Sequence, residues 1–187
     1  MGWRISWLAV KNQERTAILS TFGLHAVDQP HEHPKGVISG APLPNGYYVL
    51  FLENCFHPFV TPEVLSRVSR GCEIVGCQVE EGIMASASFC WRDGICVWNV
   101  IHEADKGVRN LQIEGSPPIA LAGLKAEATK LQDKERKIPF LPLPWEIDHF
   151  FRVPIDLSAA VVGYEHDRAK YSWGRPMYEP LAEGLVS

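Results

Sequence analysis

Four short stretches of this sequence hold side chains that could do chemistry. His31-Glu32-His33 sets two imidazoles and a carboxylate within three residues, with His25 shortly before them. Such donors suit a divalent metal, but alternate residues of an extended segment diverge, so only a curled loop would bring them together. Cys55 and His57 could form a thiolate–imidazole pair, which needs hydrogen-bond contact and a third group to orient the base. Their neighbours Phe56, Pro58 and Phe59 read instead as a packed turn. His102-Glu103 closes a strand-like run, where His102 could act as acid or base at a sheet rim or be held by backbone groups. Glu80-Glu81 follows another such run and offers two carboxylates, as a solvated turn or to a basic partner.

The segments that must position these residues are legible in part. Trp3, Ile5, Trp7 and Ala9 alternate with Arg4, Ser6 and Leu8, the pattern of a half-buried first strand. Asn12 can cap a helix that runs to Phe22 and stops at Gly23. Leu24 to Val27 is a short apolar piece. The stretch from Asp28 to Gly46 carries four prolines and three glycines and reads as one long loop. Tyr47 to Leu52 is a continuous apolar run, as in a strand covered on both faces. Thr61-Pro62-Glu63 is a helix start with cap, proline and first-turn acid.

Glu73–Glu80, Ile83–Trp91 and Ile95–His102 read as strands, the last two joined at Asp93-Gly94, a strong two-residue hairpin signal. That turn predicts Trp91 opposite Cys96, Phe89 opposite Trp98, Ala87 opposite Val100 and Ala85 opposite His102. Cys90 then faces Val97 with Cys96 on the other side, a geometry without a Cys90–Cys96 disulfide. A further strand holds Leu111 and Ile113. Ser116-Pro117 opens the longest helix, with Leu121, Leu124, Ala128 and Leu131 at helical spacing. Pro139, Pro142 and Pro144 predict an extended segment, His149–Val153 a last strand, and Pro154–Val162 a short helix ended by Gly163. The order predicts one α+β domain over residues 1–187: a mostly antiparallel sheet with helices packed on one face, and a less regular C-terminal segment, 164–187.

Composition bounds the function. The 187 residues carry a formal charge of −4, and the densest basic stretch, Lys125 to Lys137, is interleaved with acids. Nucleic acid is therefore not an expected partner. No run approaches the length of a membrane span, and the opening residues lack the apolar core and cleavage site of a leader, so a cytoplasmic location is expected. The five cysteines are odd in number and include no CxxC pair, which predicts reduced thiols. Phosphate-loop, dinucleotide, HExxH, GxSxG and EF-hand patterns are missing, and no cofactor and no metal site are expected. Of six tryptophans, Trp145 and Trp173 lie in the irregular C-terminal third and are candidate interface anchors.

The opening Gly2-Trp3-Arg4-Ile5-Ser6-Trp7, the block from Ala87 to His102 and the stretch from Leu111 to Pro118 resemble small bacterial cytoplasmic proteins of the toxin-immunity type, which bind and neutralise a toxin. The likeness lies in tryptophans, a hairpin and a helix start, so it carries over no binding residues. With the acidic balance it implies a non-enzymatic protein-binding module whose partner is another protein, a basic toxin being the candidate. The surface expected to make contact comprises His31, Glu32, His33, Glu80, Glu81, Glu103 and Trp173. The alternative is a small hydrolase or other enzyme that uses His102 or the His31/His33 loop. A third reading is a homo-oligomer joined through an exposed aromatic edge.

Overall fold

The computed structural model describes residues 2–135 and 147–184. Its elements in chain order are β1 (Arg4–Lys11), α1 (Arg15–Phe22), β2 (Leu24–Ala26), β3 (Ile38–Pro42), β4 (Tyr47–Leu52), α2 (Pro62–Val68), β5 (Glu73–Glu80), β6 (Ala85–Arg92), β7 (Ile95–Glu103), β8 (Gln112–Gly115), α3 (Ala120–Glu135), α4 (Arg152–Val162) and β9 (Glu179–Glu183). Among the described residues the nine strands form one sheet in the order β2-β9-β3-β4-β1-β5-β6-β7-β8. Every pairing is antiparallel. The class is α+β.

Strand β1 lies at the centre and is buried on both faces, not half-buried. Ile5, Trp7 and Ala9 enter one core with Val49, Phe51, Val75, Cys77 and Val79. Leu8 and Val10 enter a second core with Tyr48, Leu50, Leu52 and Ile74. Period-two alternation sends neighbours to opposite faces, so a strand this apolar throughout needs cover on both. Helices α3 and α4 cover the first core through Leu121, Ala128, Val153, Ile155 and Leu157. Helices α1 and α2 cover the second through Ile18, Leu19, Phe22, Leu65 and Val68. The helices thus divide between two faces, where the sequence suggested one.

The β6–β7 hairpin turns at Asp93-Gly94, with φ of 50° and 83°, as a two-residue turn of this kind requires. Trp91 pairs with Cys96 as expected. A bulge between Cys90 and Trp91 then leaves Val97 without an opposite residue, and the register slips by one. Cys90 faces Trp98, Phe89 faces Asn99 and Ser86 faces His102. Ser86 and Ser88, on the same face of β6 as Cys90, are buried with it. Ser86 Oγ donates to the Phe151 carbonyl at 2.7 Å, which meets its hydrogen-bonding need inside the fold. The cysteines are free thiols.

Other departures have local causes. Asn12 does not cap a helix; it sits in the left-handed region at φ 66°, and α1 starts three residues later. The stretch read as one loop, Asp28 to Gly46, contains strand β3 and a bridge between His31 and Tyr178. Residues 149–153 form no strand. The Asp148 carboxylate accepts from the Phe150 and Phe151 amides, both at 3.0 Å, and this starts the turn into α4. The C-terminal segment holds β9, inserted between β2 and β3. Glu179 fixes it there by binding Arg15 of α1 and Tyr48 of β4. The proline-rich stretch and Trp145 lie outside the described residues.

Gly76 of β5 faces Leu8 and Phe89 across the sheet, and a Cβ there would come within 2.3 Å of the Phe89 ring. Gly76→Ala is expected to lower stability by about 1–3 kcal/mol through overpacking. Gly123, on the exposed side of α3 with nothing near its Cβ position, should gain about 0.4–1 kcal/mol as alanine. Urea midpoints of the two variants check both signs.

Candidate functional site

The antiparallel register gathers one set of strand ends along a single edge of the molecule. Arg4 of β1 lies opposite Glu80 of β5, which lies opposite Ala85 of β6, which lies opposite Glu103 of β7. Glu53 follows directly on β4, and the His31–His33 stretch leads into β3 at the same end. Glu80, Glu81 and Glu103, far apart in sequence, are therefore brought to one rim. Glu80 pairs with Arg4 at 2.7 Å and accepts from the Cys55 thiol at 3.2 Å. Glu81 accepts from the Trp3 amide at 2.8 Å. Glu103 binds Lys106 and Gln112.

Two hollows flank this rim, one on each face. The larger is a cleft of about 710 Å3. Three buried side chains of the first core line it: Ile5, Phe51 and Tyr178. The Phe51 and Tyr178 rings meet at 6.5 Å. Trp3 and His166 stand edge to face at 5.4 Å along its side. Exposed Arg4, Glu32, His33, Glu53, Asp167 and Arg168 complete it. Burial pushes the His166 imidazole below its ordinary value, and its Nδ1 is buried without a partner. The smaller hollow, about 200 Å3, collects Phe56, Ile83, Ala85, Ala87 and Ile101 beside Glu80 and Glu103. Phe56 is 65% exposed and Ile83 63% exposed, so neither packs inward as the sequence suggests.

The remaining expected contact residues fall in different places. His31 is held by backbone pairing to Tyr178 and lies 3.3 Å from Asp28, while Glu32 binds Arg175 at 2.6 Å and His33 lines the cleft. The three do not converge. Among the described residues no three His, Cys, Asp or Glu side chains cluster as metal ligands. Trp173 lies off the cleft lining, 38% exposed, and stacks on Tyr171 at 4.8 Å. Tyr171 stacks on Tyr164, whose ring meets Trp7, so Trp173 tops a column that reaches the core. Trp3, Phe51, Glu53, Phe56, Ile83 and His166 are site residues that motif and pattern reading leaves out.

No thiol is activated. Burial, aided by Glu80, raises the Cys55 thiol, and burial pushes Cys77 and Cys90 up to about 12. No hydrogen bond joins His57 to Cys55, whose thiol donates to Glu80; the His57 Nδ1 accepts from the Phe59 amide at 3.2 Å. His102 is enclosed, with 0% exposure. Its Nδ1 lies 2.7 Å from the Asn110 carbonyl and its Nε2 lies 2.8 Å from the Asp148 carboxylate. Both partners accept hydrogen bonds, so the ring donates from both nitrogens as an imidazolium. It ties β7 to the turn before α4. Burial opposes that charge, but the bonds to Asp148 and Asn110 outweigh it and raise the pKa.

The architecture is that of an α+β protein built on one two-sided antiparallel sheet. In comparisons with known proteins it matches no family model, no curated protein and no solved structure. Among the described residues no helix is long and apolar enough to cross a membrane.

His102 binds its proton more tightly folded than unfolded. Its contribution to stability is therefore complete below the ordinary histidine pKa of about 6.5 and fades as pH rises through the raised folded value. His57 and His166, both lowered by burial, act with the opposite sign, so the test compares the protein with Asp148→Ala, in which those two terms cancel. The difference in unfolding free energy should be larger at pH about 6 than at pH about 9. His102→Ala, which strands Asp148 inside, should cost about 3–5 kcal/mol. An Asp148→Ala difference independent of pH would rule out the imidazolium.

Proposed function

We propose that this chain is a non-enzymatic protein-binding module of the toxin-immunity kind, which neutralises a basic protein by covering it. The observation that carries the reading is the composition of the sheet rim. Three apolar side chains, Trp3 (41% exposed), Phe56 and Ile83, stand out among Glu53, Glu80, Glu81 and Glu103. Exposed apolar side chains edged by charge are characteristic of interaction sites, and aromatic anchors supply most of the affinity at such sites. The carboxylates would speed encounter with a cationic partner and reject acidic ones. Strand register fixes Glu80 and Glu103, and the Trp3 amide holds Glu81, so much of the surface is formed before a partner arrives and less ordering is left to do on binding. The proposal sets the protein in the cytoplasm, a compartment that suits five free thiols.

The test is capture from the native cell lysate by the tagged protein, by Phe56→Ser/Ile83→Ser and by Glu81→Gln/Glu103→Gln. One basic protein should be retained by the parent, lost from the apolar variant, and held at least several-fold more weakly by the acid variant, with salt weakening the parent in the same sense. Unchanged circular dichroism would show that both variants fold. Retention indifferent to both pairs of substitutions, or a size that grows with concentration and no second protein, would overturn the reading.

A further inference from the structure

The larger cleft has a chemistry of its own, and its charges do not cancel. Three carboxylates line it. Glu32 is bound to Arg175 at 2.6 Å, and Asp167 shares Arg152, 3.1 Å away, with Asp156 and Glu165. Glu53 alone of the three has no cationic partner among the described residues. The two guanidinium groups on the lining are also spoken for, Arg4 by Glu80 at 2.7 Å and Arg168 by Glu165 at 2.9 Å. Glu53 is thus left without a cation beside a lining that includes the aromatic rings of Trp3, Phe51 and Tyr178.

We propose that this cleft receives an arginine side chain of the partner protein, its guanidinium against the aromatic lining and paired with Glu53. The inference rests on the protein-binding reading and names the residue that the partner presents. A cation over aromatic faces is attracted by their negative centres. A guanidinium suits the place better than an ammonium because it is flat, stacks on rings, sheds water at lower cost and grips a carboxylate with two parallel bonds. A neutral side chain would leave the Glu53 charge uncompensated in a partly closed site, and an acidic one would add repulsion. The cleft is larger than one side chain, which leaves room for the backbone that carries it.

The probe is Nα-acetyl-arginine methylamide, titrated into the ¹⁵N-labelled protein and compared with its citrulline and lysine counterparts. Arginine should move the Trp3 indole resonance and the amides around Phe51 and Glu53, saturating in the millimolar range, with citrulline about tenfold weaker and lysine between them. Glu53→Gln should bring arginine down to the citrulline level while the rest of the spectrum stays in place. Equal shifts from arginine and citrulline, shifts spread over the surface, or unaltered binding by Glu53→Gln would overturn the proposal. The two readings fail separately. A partner captured through the Phe56/Ile83 rim as strongly by Glu53→Gln as by the parent removes the arginine site and leaves the binding module standing. Arginine seated in the cleft with no protein captured does the reverse.

Discussion

Strand β1 meets solvent on neither face, and that constraint propagates through the rest of the structure. A central strand carrying Ile5, Trp7, Leu8, Ala9 and Val10 has apolar side chains above and below the sheet. Each face must be closed by something else, at about 25 cal/mol for every Å2 of apolar surface withdrawn from water. The chain meets this with two pairs of helices from different regions of the sequence, α1 and α2 below and α3 and α4 above. Helix α4 starts at the sheet end where β1 begins, next to the bond from Ser86 to Phe151, and runs to Val162 at the opposite end, where Asn45 meets it. The residues that line the larger cleft nevertheless all come from strands and loops. The smaller hollow likewise has no helix residue in its lining.

The segments most legible in the sequence are those whose structure depends on nearby residues. Strand β4 is a buried apolar run, α2 begins at Thr61-Pro62, and Asp93-Gly94 turns because both residues take positive φ. The segments that escape are those decided by distant partners. Strand β9 contains Pro180, which argues against a strand. It forms because its backbone pairs with β2 and β3 and because Glu179 finds Arg15 and Tyr48, more than a hundred residues away. The bulge at Cys90/Trp91 escapes for another reason. The turn correctly sets the first pair, but Ser86 is buried against the Phe151 carbonyl just before α4, a contact that alternation of polar and apolar residues cannot foretell.

The candidate site is legible to a lesser degree. Glu80, Glu81 and Glu103 are recognisable as strand-end acids, and their meeting follows from antiparallel pairing once the strands are placed. Phe56 and Ile83 read as packed residues because aromatic and branched side chains usually are. Their exposure is a property of the tertiary arrangement alone. Trp173 shows the converse: an aromatic in an irregular segment suggests an anchor, yet its ring is committed to Tyr171 and through it to the core. His102 resembles a rim acid or base until Asp148, on a segment that arrives 46 residues later, closes over it.

These distinctions bear on how the polar groups divide their work. The buried charge of His102 is compensated internally by Asp148. Such pairs give specificity to the fold, because removing one member strands the other in a poorly solvated place. At the sheet end the pattern changes. Arg4 and Lys106 are exposed partners of Glu80 and Glu103, and pairs of that kind add little to stability because water competes for both members. An acidic rim that contributes little to holding the fold is free to be arranged for something outside it. Exposed Trp3, Phe56 and Ile83 point the same way, since they would gain more from a covering surface than they lose by waiting in water. The stability of the molecule and its proposed binding thus reside in different populations of the same residue types, separated by whether the rest of the chain encloses them.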